Sequence, residues 1–305
     1  MWRYAVRRLL WIIPVLLGVS LVTFLLMHAV PGGPWDQEKP LAPQVVQNLN
    51  RRYGLDRPIW QQYGMFLARA LRGDLGVSYS YQDRGVTQII LSGLPITASL
   101  GALAFAFAVV AGLGLGMAAA IKQNTPVDYL SVLFATSFAS IPGFVLGIFL
   151  LILFSATLHW LPTGGWGSWK QLVMPVLALG ALPAAYTARI TRASMLEVLN
   201  QDYVRTARAK GLPEVAIQYR HVLKNALIPV LTVLGPYLAF LVTGSFIVES
   251  LFSVPGVGRL FVQGVFARDY GLIMGSVLFY AAAIALLNLA VDLLYAVVDP
   301  RIKYA

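Results

Sequence analysis

The chain has 305 residues, of which 58% are hydrophobic and only 12% are charged, and its formal net charge is +10. Soluble domains carry about 25% charged residues, so this composition excludes an ordinary water-soluble protein and indicates a membrane protein. The absence of cysteine excludes disulfides, thiolate metal sites and a cysteine nucleophile.

Six apolar runs meet or approach the length of about 20 residues that a helix needs to cross a bilayer. They cover residues 9–30, 96–121, 129–158, 172–195, 227–250 and 273–298. The first run follows three arginines and lacks a small-residue cleavage site, so we interpret it as an uncleaved span with a cytoplasmic N-terminus. A cleaved signal peptide is the alternative.

The basic residues support a topology of six spans with both termini in the cytoplasm, because short cytoplasmic connections retain Lys and Arg. The connections expected inside hold 13 of the 23 Lys and Arg residues, including Arg3, Arg301 and Lys303. The short outside connections hold only Lys170, Arg259 and Arg268. Because the basic residues are distributed over the connections, we expect them to contact membrane lipid and not nucleic acid.

The segment 31–95 is expected on the outer side, between a first part that comprises residues 1–30 and a five-span core that comprises residues 96–305. Apolar residues follow Pro58 at helical spacing until Gly73, namely Ile59, Tyr63, Phe66, Leu67 and Ala70. We expect a small external domain of short helices on the membrane surface. It either only caps the first two spans or also receives a binding protein.

Four residues near the spans are weak candidates for a substrate pathway. Pro142 precedes Gly143 in the third span and should kink or break that helix. Glu249 lies at the outer end of the fifth span, and Asn288 and Asp292 share a face of the sixth. The alternative for Pro142 is a proline without special function. For Asp292 the alternatives are a hydrogen bond that only packs helices and an ion pair with a base.

The basic segment from Arg189 to Lys224 separates two long apolar runs. Gly211 should close a helix that extends from about Leu196 to Lys210, and Pro213 should open a second helix. In the second helix we expect one apolar stripe to be buried, with Arg220, His221 and Lys224 facing elsewhere. The stripe consists of Val215, Tyr219, Val222, Leu223 and Ala226.

The sequences DYVRTARAKGL and RHVLKNALIP resemble the cytoplasmic coupling loop of ABC importer permeases of the oligopeptide/dipeptide family, its B-type subunit in particular. Matches to GDLGVSY, ESLFSVPGVG, RDY and the C-terminal NLAVDLLYAVVDPRIKY extend the resemblance over the whole chain, although many relatives have a proline where this chain has Gly271. The family pattern has an acidic residue where this chain has Arg205, and a proline where it has Lys224. The resemblance assigns ATPase coupling, within a loop that covers residues 196–226, to Arg205, Thr206, Ala207, Ala209, Gly211, Leu212, His221 and Leu223.

The resemblance implies an all-α, type I permease fold in the bacterial cytoplasmic membrane and import of peptides, most simply oligopeptides, by alternating access. It also implies a second homologous permease subunit, two ABC ATPase subunits that hold ATP and Mg²⁺, and an extracytoplasmic peptide-binding protein. No cofactor, metal site or catalytic residue is expected in this chain.

The sequence motifs also indicate that this chain is neither the ATPase nor another enzyme. A phosphate-binding loop needs a Gly-Lys pair, and none of the six lysines follows a glycine. The sequence also lacks the zinc-protease and serine-nucleophile motifs. The alternatives to an oligopeptide permease are an ion-driven secondary transporter, a passive channel, or a permease for dipeptides, glutathione or nickel.

Overall fold

A computed structural model describes residues 2–35, 41–81 and 84–298, without the side chains of residues 2, 3 and 294–298. Arg301 and Lys303, which the charge argument used, lie outside the described residues. The described residues form helices and include no named strand. The helices are α1 Trp2–Ala29, α2 Pro43–Tyr53, α3 Ile59–Ala70, α4 Val86–Ile121, α5 Pro126–Ser140, α6 Gly143–Leu150, π1 Leu151–Thr157, α7 Trp169–Leu199, α8 Asp202–Ala209, α9 Glu214–Ala216, π2 Ile217–Leu223, α10 Lys224–Thr243, α11 Phe246–Leu251, α12 Val257–Phe266 and α13 Tyr270–Val298.

Five of the described helices are long and apolar enough to cross a membrane, and the pair α5 with α6–π1 makes a sixth if it counts as one bent span. The bend at Pro142 is 104°, so the expected kink is confirmed as a complete break. Ile141, the residue before the proline, has an extended backbone with φ −96° and ψ 121°, because the proline ring disfavours helical geometry there.

The fifth apolar run also ends earlier than the sequence suggested. The helix α10 stops at Thr243, where Gly244 adopts a φ of 96° that only glycine reaches easily. The chain then starts the short helix α11, which begins with the side chain of Ser245 accepting a bond from the amide of Val248. Glu249 therefore lies on a separate short helix.

The chain divides into two compact units, one formed by residues up to Thr97 together with those from Pro255 onward, and one formed by Ala98–Val254. In the first unit, α1 packs along α13 through Phe24, Met27, Ile273 and Met274. The predicted stripe of α3 is confirmed in part, since Tyr63 and Phe66 pack against these same residues whereas Ile59 is 52% exposed.

The GDLGVSY motif and the RDY motif, which lie far apart in the sequence, meet in the first unit. The buried carboxylate of Asp269 accepts hydrogen bonds from the hydroxyl of Ser78 and from the amides of Tyr79 and Ser80 at 2.8 and 3.0 Å. Its other oxygen accepts from the amide of Leu272 at 3.0 Å in the first turn of α13. Asp269 thus anchors the loop after α3 to the start of α13.

In the second unit, α7 is the central helix and packs against α5, α6 and α10. Two glycines of α4 let that helix approach α7 closely. A Cβ on Gly112 would lie 2.6 Å from Cβ of Thr187, and one on Gly116 would lie 2.5 Å from the carbonyl oxygen of Ala188. Small residues at four-residue spacing thus bring α4 and α7 together.

Candidate functional site

The candidate site is the segment of residues 200–223, which joins α7 to α10 in the second unit and which we call the helix–turn–helix segment. The single helix expected from Leu196 to Lys210 is interrupted, because α7 ends at Leu199 and α8 begins at Asp202. The side chain of Asn200 donates to the carbonyl of Leu196 at 2.9 Å. Asparagine offers the backbone this local alternative to continuing the helix, and Gln201 follows in an extended conformation.

The turn between the two short helices is centred on Gly211. Its φ of 75° confirms the predicted left-handed conformation, and no atom lies within 4 Å of the position that a Cβ would occupy. Pro213 precedes the first residue of α9, as predicted. Arg208 spans the turn with two hydrogen bonds to the carboxylate of Glu214, at 2.8 and 3.2 Å. This half-exposed pair bridges α8 and α9 across the turn.

The inner face of the segment is an apolar cluster of the chain itself. Val204 and Ala207 of α8 meet Ile217 and Val222 from the second half of the segment and Ala226 of α10. Met195 of α7 and Ala120 of α4 complete the cluster. The loop is therefore held to the second unit by its own hydrophobic contacts.

The predicted stripe of the second helix was partly wrong. Val215 and Tyr219 are 65% and 55% exposed, whereas Ile217 and Val222 are fully buried. The reason is that Ile217–Leu223 is a π-helix, in which each amide bonds five residues back and one turn holds more residues than an α-turn. The buried positions are consequently five and four residues apart.

The residues assigned to ATPase coupling lie in different environments. Arg205, Thr206, Ala209, Gly211 and Leu212 are exposed. His221 and Leu223 are partly buried, and Ala207 is 5% exposed within the apolar cluster.

Three further apolar or aromatic side chains share the surface of the segment. They are Tyr203, Val215 and Tyr219, which are 43%, 65% and 55% exposed. Val215 and Tyr219 were predicted to be buried because their spacing resembled that of an apolar stripe, and Tyr203 was not singled out from the sequence. The basic side chains of Lys210, Arg220 and Lys224 are also exposed. The outer face thus combines apolar contact area with positive charge.

The four pathway candidates are divided between the two units, with Pro142 and Glu249 in the second and Asn288 and Asp292 in the first. Pro142 is exposed at the start of α6, and Glu249 is fully buried in α11, where an oxygen of its carboxylate accepts a bond from the amide of Ser245. Asp292 pairs with Arg8 of α1 and accepts a hydrogen bond from the hydroxyl of Tyr4. Asn288, one turn earlier on α13, is partly buried.

No cluster of three or more His, Asp or Glu side chains that could hold a metal ion occurs within residues 2–35, 41–81 and 84–298. The exposed apolar and basic side chains of the helix–turn–helix segment suit docking of another protein.

Comparison with known families gives two matches that together cover most of the chain. Residues 112–304 match the family described as binding-protein-dependent transport system inner membrane component. Residues 1–101 match the N-terminal family of membrane components of the same transport systems.

Curated relatives cover the chain over its full length. The oligopeptide transport system permease protein OppB of Salmonella typhimurium is 43% identical over 306 residues, with 100% of both chains covered. The OppB protein of Escherichia coli strain K12 has the same identity and coverage. The dipeptide transport system permease protein DppB of Bacillus subtilis is 40% identical over 303 residues, which cover 99% of this chain and 98% of DppB.

Solved structures resemble the fold of the larger part of the chain. An inward-facing structure of the MetNI methionine ABC transporter superposes with a TM-score of 0.59 at 19% identity, covering 70% of this chain and 97% of the other. An amino acid ABC transporter superposes with a TM-score of 0.54 at 21% identity, covering 71% of this chain and 95% of the other.

Proposed function

The chain belongs to the family of binding-protein-dependent transport system inner membrane components, and on this premise we propose that it forms half of the pore of an ATP-driven peptide importer. Its cargo is an oligopeptide, in keeping with the names of the OppB relatives. The transport direction is from the outer side of the cytoplasmic membrane to the inside.

The observation that carries this proposal is the helix–turn–helix segment between α7 and α10. Its inner side is fixed by the cluster of Val204, Ala207 and Ile217, while Leu212 and Val215 are exposed on its outer side. Exposed apolar side chains grouped on one segment are a feature of protein interaction sites. We propose that the partner that covers these side chains is an ABC ATPase subunit, which also supplies the site for ATP and Mg²⁺.

The connections of the segment suggest how docking acts on the transmembrane helices. Only Asn200 and Gln201 separate α7 from α8, and π2 continues into α10 without an intervening loop. The two long helices α7 and α10 also pack against each other. A displacement of the docked segment therefore moves both helices, and repeated closure of the ATPases would drive alternating access.

The proposed arrangement has six spans, counting the bent pair α5 with α6–π1 as one, and places both termini in the cytoplasm. A second, homologous permease subunit completes the pore, and two ATPase subunits bind the cytoplasmic face. An extracytoplasmic peptide-binding protein delivers the cargo. This chain contributes no catalytic residue, in keeping with its lack of a Gly-Lys pair.

The proposal is tested by uptake of a labelled oligopeptide into vesicles that contain the reconstituted complex. Uptake should require ATP, the ATPase subunits and the binding protein, and it should persist after an ionophore collapses the proton gradient. The isolated chain should hydrolyse no ATP above background. Uptake that is lost with the proton gradient, or that proceeds without any ATPase, would refute the proposal.

A further inference from the structure

The first unit contains a cavity of about 540 Å³ that the transport mechanism above does not use. Pockets that bind small ligands commonly measure about 300–1,000 Å³. The cavity lies where α2, α3 and the loop after α3 meet the end of α1 and the beginning of α13. Its apolar lining includes Phe24, Met27 and Met274, which belong to two of the helices that could span a membrane.

The charged lining of this cavity is strongly positive. Arg51, Arg52, Arg57 and Arg69 line it against a single acidic residue, Asp74, whose carboxylate accepts a bond from the amide of Gly76 at 2.9 Å. All four arginines are exposed to solvent.

Local structure holds three of these arginines in place. Arg51 and Arg52 occupy the last turn of α2, which Gly54 closes with a φ of 71°. The side-chain amide of Gln62 donates to the carbonyls of Leu55 and Arg57 at 3.2 and 2.8 Å. These bonds fix the turn that presents Arg57 to the cavity.

Arg51 and Arg69 can each bind a negatively charged ligand without breaking an ion pair among the described residues. Within residues 2–35, 41–81 and 84–298, neither Arg51 nor Arg69 has an ion-pair partner. A guanidinium group binds phosphate with two parallel hydrogen bonds, so positions of this kind suit a phosphate group.

An aromatic wall lies beside the arginines. The ring centroids of Tyr53 and Tyr79 are 4.7 Å apart, and Trp35 lies 5.4 Å from Tyr79. Tyr270 continues the wall at 6.2 Å from Tyr79. Burial, followed by the negative charge of Asp269, raises the pKa of Tyr79, so its hydroxyl stays protonated and able to donate.

A cationic rim, an aromatic wall and an apolar floor on membrane-spanning helices are the features expected where a protein holds a lipid headgroup. We propose that this cavity binds the phosphate of an anionic phospholipid, with Arg51, Arg69 and the hydroxyl of Tyr79 as donors. The apolar floor continues along α1 past Leu25 and Leu21, which are 53% and 42% exposed and would contact the acyl chains. That continuation favours a lipid over a soluble phosphate.

The test measures retention of added phosphatidylglycerol by the full-length chain in detergent, using native mass spectrometry. Each basic side chain near an anionic headgroup contributes a factor of about five to affinity. The double variant Arg51→Gln/Arg69→Gln should therefore bind phosphatidylglycerol on the order of 30-fold more weakly. Tyr79→Phe, which keeps the ring, should weaken binding about tenfold by removing one hydrogen bond to a charged group.

The matched control is Arg72→Gln, because Arg72 is an exposed arginine of the same segment that does not line the cavity. It should bind phosphatidylglycerol as the unchanged chain does, and the unchanged chain should discriminate against phosphatidylcholine, whose choline cation cancels the charge of its phosphate. Equal binding by the double variant and the control would refute the proposal. Displacement of the lipid by soluble glycerol phosphate or by trialanine at millimolar concentration would identify a soluble phosphate or a peptide carboxylate as the ligand instead, and would also overturn it.

Discussion

Arg192 holds the buried carboxylate of Asp128 with two hydrogen bonds, from Nε at 2.6 Å and from Nη2 at 2.7 Å. The same carboxylate accepts from the amide of Asn124 at 3.0 Å, in the turn between α4 and α5. Because Arg192 belongs to the last part of α7, one carboxylate ties this turn to the helix that leads into the helix–turn–helix segment. The charge pair thus stabilises the second unit next to the point where movement would enter it.

We expect Asp128→Asn to destabilise the second unit, since it leaves Arg192 without its counter-ion. Breaking a buried pair costs about 3–5 kcal/mol, and the lower end applies because 28% of the Arg192 side chain is exposed. The measurement is the thermal unfolding midpoint in detergent. Asp202→Asn is the control, because its ion pair with Arg205 is exposed and should contribute nothing measurable. Equal midpoints for both variants would contradict the assigned role of Asp128.

Gly211→Val should uncouple the protein without unfolding it. A β-branched side chain at a φ of 75° costs about 1–2 kcal/mol locally, and no neighbouring atom adds a steric clash. The angle between α8 and α9 should change, so we expect normal membrane insertion with loss of ATPase binding and of uptake. Gly211→Asn is the control, because asparagine tolerates the left-handed conformation and should retain most of the activity. Identical activity of the Val and Asn variants would exclude a role for the turn geometry.

Two substitutions that introduce a charge distinguish the inner face of the helix–turn–helix segment from its outer face. Ala207→Asp introduces a charge into the cluster with Val204 and Ile217, so the segment should become sensitive to added protease. Val215→Asp changes a side chain that is 65% exposed, so protease resistance should persist while ATPase pull-down is lost. Protease resistance and pull-down are compared at matched membrane expression. Unchanged ATPase pull-down for Val215→Asp would remove this face from the proposed interface.

The proposed topology predicts the location of two reporters. A reporter inserted after Lys210 should be cytoplasmic, and one inserted near Gln47 in α2 should be external, because an odd number of spans separates them. Accessibility to a membrane-impermeant label in intact cells measures both. Finding the two reporters on the same side would refute the six-span arrangement.

Much of the helical architecture follows from the sequence because apolar run length and glycine or proline positions act locally. Gly211, Pro213 and the break at Pro142 were predicted for this reason, and the structure bears them out. The failures have a different origin. The register of π2 depends on packing against Met195 and Val204, which no local pattern reveals, so Val215 and Tyr219 were assigned to the wrong face.

The partners of buried charges were equally beyond sequence reasoning. For Asp292 an ion pair with a base was one of the alternatives, and the structure supplies Arg8 from a helix more than 280 residues earlier in the chain. The pairing of Asp128 with Arg192 had no sequence signal, because charge alone does not identify a partner 64 residues away. Such pairs follow from helix packing, which the run lengths leave open.

The anchoring of the loop after α3 by Asp269 has a consequence for synthesis. The Ser78 hydroxyl and the Tyr79 and Ser80 amides leave the ribosome about 190 residues before their acceptor does. At 5–20 residues per second, this loop waits roughly 10–40 s for Asp269. During that interval the loop after α3 has no finished anchor, so a ribosome stalled between the two motifs leaves an incomplete first unit that quality-control proteases can recognise.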